Sequence, residues 1–225
     1  MRIVKLSTVA SFALTAAGFA QGACAADQGQ WTLGLSGGTL GVGPEIAYRY
    51  GPNLGMRVNA GYFSYNRDQT LDDIDYNGKL KLNSVGLQAD WYPFGGGFRL
   101  SLGGRSNSNK IDLKGNPSSS VEIDGTTYTP AEVGTLTGTV KSSSFAPTFA
   151  LGYGGTLAKG FTMGVELGVM YQGSPKINDL HSSGGLFSSN PIFLADVKAE
   201  QQRMEDDAKD FKYWPVLQID LLYRF

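Results

Sequence analysis

This chain of 225 residues has one cysteine, one histidine and no long apolar run beyond its first 26 residues. The cysteine, Cys24, lies inside that first segment. A chain trimmed there carries no thiol, which excludes disulfides, thiolate metal sites and cysteine nucleophiles. A helix needs roughly 20 consecutive apolar residues to cross a bilayer, and the rest of the chain offers no such run. Any crossing must then be made by strands closed into a barrel, the other arrangement that satisfies the backbone in lipid. Charge of one sign is also missing: 19 basic residues stand against 20 acidic ones. That balance lacks the basic footprint of a nucleic-acid partner, and none is expected.

The first 26 residues have a purpose of their own. Arg2 and Lys5 precede an uncharged run over 6–20, followed by Ala23-Cys24-Ala25. A basic start, a short apolar stretch and a small-x-small site predict a secretory signal peptide, cut after Ala25 or Ala26. The run is too short for a spanning helix and is broken by Ser and Thr. Gln21 stands where a lipoprotein signal has Leu, so Cys24 fits lipid attachment poorly. Cleavage removes two of the 19 basic residues and none of the 20 acidic ones, leaving 27–225 as one domain with a net charge of −3.

Glycine is abundant, 31 of 225 residues, about twice the usual 7%. The inward positions of a narrow barrel use that, because they have little room for side chains. Alternation of apolar and polar residues supplies the strands. It predicts them near 31–37, 42–50, 56–62, 79–94, 98–103, 145–153, 161–172 and 213–225. In 161–172, Phe161, Met163, Val165, Leu167, Val169 and Tyr171 oppose Thr162, Gly164, Glu166, Gly168, Met170 and Gln172. In 79–94 the apolar parity changes near Asn83-Ser84, which predicts a β-bulge. Gly37-Gly38, Gly51-Pro52-Asn53 and Gly95-Gly96-Gly97 signal tight turns. The polar stretches 66–78 and 105–143 read as loops. In 190–212, Asn190 can cap a helix, Pro191 suits its first position, and Phe193, Val197, Met204, Ala208 and Phe211 make a narrow apolar stripe.

The chain closes on Tyr223-Arg224-Phe225 after alternating Leu217, Ile219 and Leu221. That ending resembles the last strand of Gram-negative outer-membrane β-barrels. Short and long connections alternate, and aromatics gather at strand ends (Trp31, Tyr48, Tyr50, Tyr62, Trp91, Phe161, Tyr171, Tyr223), as an interfacial girdle would have them. The chain is similar to small outer-membrane barrels of the OmpA-transmembrane-domain, OmpX and OmpW kind. The resemblance implies an all-β, antiparallel up-and-down transmembrane barrel of about eight strands, with a helix in its last long loop. It also implies residence in the bacterial outer membrane, contact with membrane lipid and lipopolysaccharide, and Tyr223 and Phe225 as a signal for the barrel-assembly machinery. A soluble lipocalin-like barrel is the alternative fold, and it would turn its apolar side inward.

Glu45, Arg49, Arg57, Arg99, Glu166, Asp220 and Arg224 fall on the polar face of their strands. In such a barrel they face the lumen, where charges must pair. They form either a rigid ion-pair network or the lining of a narrow conduit. The first makes the protein structural, or an interaction module working through its surface loops. The second makes it a narrow or gated channel for small, perhaps hydrophobic, solutes. His181 with Ser182 and Ser183 offers a general base only if something holds it in place, and in a Ser/Gly loop nothing does; no enzyme activity is expected. Asp73-x-Asp75-x-Asn77-Gly78 matches the first half of a calcium loop, but Ser84 stands where the closing Glu belongs. No metal or cofactor is expected.

Overall fold

The computed structural model describes residues 30–71, 74–155 and 159–225. The expected signal segment 1–26, Asp73 and the side chain of Asp75 lie outside the described residues. Along the chain the elements are β1 (Gln30–Gly38), β2 (Gly41–Tyr50), β3 (Leu54–Leu71), β4 (Ile74–Trp91), β5 (Phe98–Asn107), β6 (Lys110–Pro117), β7 (Val121–Ile123), β8 (Thr126–Tyr128), α1 (Pro130–Val133), β9 (Gly134–Lys141), β10 (Phe145–Tyr153), β11 (Gly160–Tyr171), β12 (Lys176–Gly184), α2 (Pro191–Ala208) and β13 (Tyr213–Arg224).

Eight of these strands close an antiparallel barrel in the order β1-β2-β3-β4-β5-β10-β11-β13, with β13 returning to β1. Closure places Leu33 opposite Tyr223 and Leu35 opposite Leu221. The outward positions are apolar and exposed: Leu33, Met56, Leu87, Leu102, Leu167 and Ile219 are examples. Many inward positions are polar and buried, Glu45, Arg57, Gln88, Asp90, Thr148 and Asp220 among them. This polarity is the reverse of a lipocalin-like barrel. Aromatic pairs rim the belt. At the end of the tight turns, Trp31 meets Tyr48 at 4.8 Å between ring centroids and Phe161 meets Tyr223 at 4.9 Å. At the other end Tyr171 meets Tyr213 at 5.5 Å.

Two expectations are corrected. The described residues of 66–78 are not a loop, because β3 and β4 pair in a register that runs from Leu54↔Trp91 to Leu71↔Ile74. The same register carries no bulge at Asn83-Ser84. The apolar parity changes there because β4 changes surroundings. Up to Val85 the outward face belongs to the belt; beyond it Leu80 and Leu82 lie on the inward face and Lys79 and Lys81 on the outward one. β4 also changes partner, from β5 at Ser84–Trp91 to β6 at Ile74–Lys81.

Most of 105–143 is likewise structured. β6, β9 and β12 extend the β3–β4 hairpin into a sheet beyond the belt, in the order β4-β6-β9-β12. α2 packs over it. Asn190 caps α2, its Oδ1 accepting from the Ile192 N–H at 2.9 Å. Phe193 and Val197 join Ile123, Tyr128 and Val133 in a second, small core outside the barrel. Met204 and Phe211 of the expected stripe remain exposed. α2 also shields the open edge of β12: Glu205 Oε1 accepts from the Ile177 N–H at 3.0 Å, and Gln201 Nε2 donates to the Ile177 carbonyl at 2.7 Å. An edge strand with its polar groups covered is a poor template for unwanted pairing.

Candidate functional site

The lumen and the cap are the two places where side chains converge. The lumen is built by parity. Each barrel strand sends every second side chain inward, and several inward charges stand directly across from a glycine: Arg99 from Gly152, Arg105 from Gly86 and Asp220 from Gly164. A Cβ on Gly152 would lie 2.8 Å from Arg99 Nε, and one on Gly86 would lie 2.5 Å from Arg105 Nη1. Glycine lets a long side chain lie flat across the neighbouring strand and reach the barrel axis.

Two guanidiniums organise the centre. Arg57 meets Glu45 at 3.3 Å, Asp90 at 3.1 Å and Glu166. Arg99 meets Glu166 and Asp220, each at 3.1 Å. Ser101 Oγ donates to Asp90 Oδ1 at 2.6 Å and accepts from Arg57. All six charged groups are almost wholly buried. The structure thus brings together Glu45, Arg57, Arg99, Glu166 and Asp220 from the sequence-derived set.

Arg49 and Arg224 lie apart from them, at the end of the tight turns. Arg49 donates to the carbonyls of Gly155 and Gly95, both at 2.8 Å, and to that of Pro52, and its guanidinium sits 3.6 Å from the centroid of the Tyr92 ring. One side chain therefore ties three turns together. Arg224 donates to the Gly155 carbonyl at 3.4 Å. Tyr223 and Phe225 sit outside on the rim, their rings 5.2 Å apart.

Sequence reasoning missed Asp90 and Arg105. Asp90 was legible by parity, between the outward Ala89 and Trp91. Arg105 was hidden because Gly103-Gly104 looks like a strand end. It lies nearer the extended end, donating to Asn59 Oδ1 at 2.6 Å and Ser84 Oγ at 3.0 Å. Above it apolar side chains pack together in the lumen: Leu40, Ala146, Met170 and Val216, with Trp214 against them. Leu40 comes from the β1–β2 turn, which lies at Thr39-Leu40 rather than at Gly37-Gly38. Thr39 pins that turn, its hydroxyl donating to the Pro215 carbonyl at 2.7 Å and its own carbonyl accepting from Trp214 Nε1 at 3.1 Å.

In the cap, the Tyr128 hydroxyl donates to Asp196 Oδ2 at 2.6 Å, which pushes its pKa up to about 12. This bond fastens α2 to the β7–β8 hairpin. His181 lies on β12 of the extension, not in a loop. It is exposed, with Nδ1 2.7 Å from the Asp179 carbonyl. Ser182 donates to the Val133 carbonyl. Among the described residues no group of His, Cys, Asp or Glu has the geometry of a metal site.

Two solved structures from Acinetobacter baumannii resemble this arrangement. CarO2 matches with a TM-score of 0.58 at 22% identity, over 87% of this chain and 98% of its own. CarO matches with a TM-score of 0.56 at 20% identity, over 86% and 97%. They share its fold. No protein-family profile and no curated protein sequence matches the chain. At this identity the likeness to CarO and CarO2 carries the eight-stranded barrel and not the residues inside it.

Proposed function

We propose that the protein is an integral outer-membrane barrel with a closed lumen, which acts through the folded cap on its extended end and performs no catalysis. On this reading the signal segment exports the chain, Tyr223 and Phe225 guide assembly, and the cap faces outside the cell. The carrying observation is the lumen itself. Arg57 and Arg99 link carboxylates from β2, β4, β11 and β13 across the barrel, and the Leu40–Met170–Val216 cluster stacks above them. An ion crossing it would have to break several buried ion pairs.

A gated conduit is the second reading. The observation in its favour is that Glu45 Oε1, Asp220 Oδ1, Gln88 Oε1 and Gln218 Oε1 are buried without a partner among the described residues. Buried polar atoms of this kind take up water, which an opened lumen would supply.

Conductance and liposome swelling decide between the two, comparing the refolded chain with a variant lacking 193–210. Heat-modifiable gel mobility reports folding and insertion. The closed-lumen reading expects no conductance from either. Conductance from the deletion alone makes α2 a gate, and conductance from the wild type replaces the first reading with the second. His181→Ala is expected to leave growth, insertion and cap stability unchanged; a lost hydrolytic activity in that variant would establish an enzyme.

A further inference from the structure

The polar face of the extension holds an arrangement that neither the lumen nor the cap core explains. Cross-strand register places Lys81 opposite Lys110, Lys110 opposite Lys141, and Lys141 opposite Lys176. Residues directly opposite share a face, so four lysines stand abreast on β4, β6, β9 and β12. At the usual strand spacing the row is about 14 Å long. Like charges directly opposite destabilise a sheet, and this row contains three such pairs in succession.

The next two rows add Lys79 and Lys114. Over the three rows, the register-paired positions of these four strands carry six lysines and one carboxylate, Asp112. Asp112 serves Lys81 at 2.9 Å and Lys110 at 3.4 Å. Lys141 and Lys176 are exposed and have no acidic partner among the described residues. Other carboxylates border the rows: Asp68 on β3 accepts from Asn77, Asp179 is exposed at the register shift of β12, and Glu205 of α2 accepts from the Ile177 N–H.

The height of the row matters as much as its charge. Lys81 pairs with Ser64, the outward residue that follows Tyr62 on β3. Tyr62 is an exposed aromatic of the belt, and two residues of strand advance about 7 Å. Lys81 therefore stands just beyond the apolar belt, where a membrane places its headgroups, and the row runs on from it across β6, β9 and β12.

We propose that this row binds the phosphate groups of an outer-leaflet glycolipid of the lipopolysaccharide type. The proposal rests on the outer-membrane reading and deepens it by naming the site. Anionic headgroups neutralise the row, and their acyl chains continue down the adjoining belt. This continuity favours a lipid over a soluble anion.

The test is binding of bisphosphorylated lipid A to the full chain in phosphatidylcholine nanodiscs. The wild type is compared with a variant carrying Lys81→Gln, Lys110→Gln, Lys141→Gln and Lys176→Gln. A second variant carries Lys198→Gln, Lys209→Gln and Lys212→Gln, which lie outside the row. Removal of a membrane-surface lysine weakens anionic-lipid binding roughly fivefold, so the first variant, which lacks four, is expected to bind roughly six hundredfold more weakly. The second variant should bind as the wild type does, and dephosphorylated lipid A should bind the wild type weakly. Equal binding by the first variant, or equal binding of dephosphorylated lipid A, overturns the proposal. Full competition by millimolar inorganic phosphate overturns it in favour of a soluble-anion site. If the quadruple variant loses its heat-modifiable shift, the exposed pair Lys141→Glu and Lys176→Glu is read by the same criteria. A wild type that never inserts into bilayers overturns the membrane reading itself, and is recognised by the missing shift before any lipid is added.

Discussion

Arg57→Met is expected to destabilise the barrel by about 3–5 kcal/mol, the scale seen when one member of a buried ion network is removed. The substitution keeps much of the volume and removes the charge. It leaves Glu45 and Asp90 without their arginine, and Glu166 with Arg99 alone. Buried carboxylates without a counter-charge are costly. The cost is read as a shift of the urea midpoint of refolded protein in liposomes, followed by heat-modifiable mobility. Adding Asp90→Asn should restore part of the loss, since it removes one of the stranded charges, and the double-mutant cycle measures the coupling. A shift under about 1 kcal/mol, in the range of an exposed pair, would mean that the lumen is wet and the network weakly coupled. That result would also weaken the closed-lumen reading.

Phe193→Ala is expected to release α2 while leaving the barrel intact. Phe193 is 1% exposed and packs with Ile123, Tyr128, Val133 and Val197. Truncating a buried Phe costs about 3–5 kcal/mol in a well-packed core. The cap core has five buried residues, and a core that small has little stability to spare. Loss of the Phe193 ring should therefore unfold the cap as a unit. Limited proteolysis reads this directly: the variant is cut within 190–212 at protease levels that spare the wild type, and both retain the heat-modifiable shift. Equal resistance would show that the Tyr128–Asp196 bond and the contacts of Gln201 and Glu205 hold α2 without the aromatic anchor.

The barrel strands were legible in the sequence, and the cap sheet was not, for one physical reason. A strand between an apolar belt and a polar lumen must alternate sharply. In 161–172 the outward set is wholly apolar, while Thr162, Glu166 and Gln172 mark the inward one. Beyond the belt a strand meets water on its outward face and only a thin core on the other. β6 needs Ile111 and Leu113, β9 needs Leu136 and Val140, and β12 needs Ile177 and Leu180; the rest can be Lys, Thr, Ser and Asn. Such segments read as loops. The change of parity in β4 was visible as well, but a bulge and an inverted environment predict the same pattern of letters. Only the unbroken register of the β3–β4 hairpin separates them.

The residue-by-residue alternation settled by itself which side chains of each barrel strand share a face, and the resemblance carried by Tyr223 and Phe225 implied that the polar face turns inward. That information is local, because each residue's face follows from its own place in a period of two. Tertiary structure alone decided which inward charges meet. Glu45, Asp90 and Glu166 are far apart in sequence and converge on Arg57 only when β13 closes on β1, while Arg49 and Arg224 are carried to the turn end. It alone also decided that four lysines scattered from 81 to 176 stand in one row. Cross-strand register, a long-range quantity, determines both, and no single strand carries it.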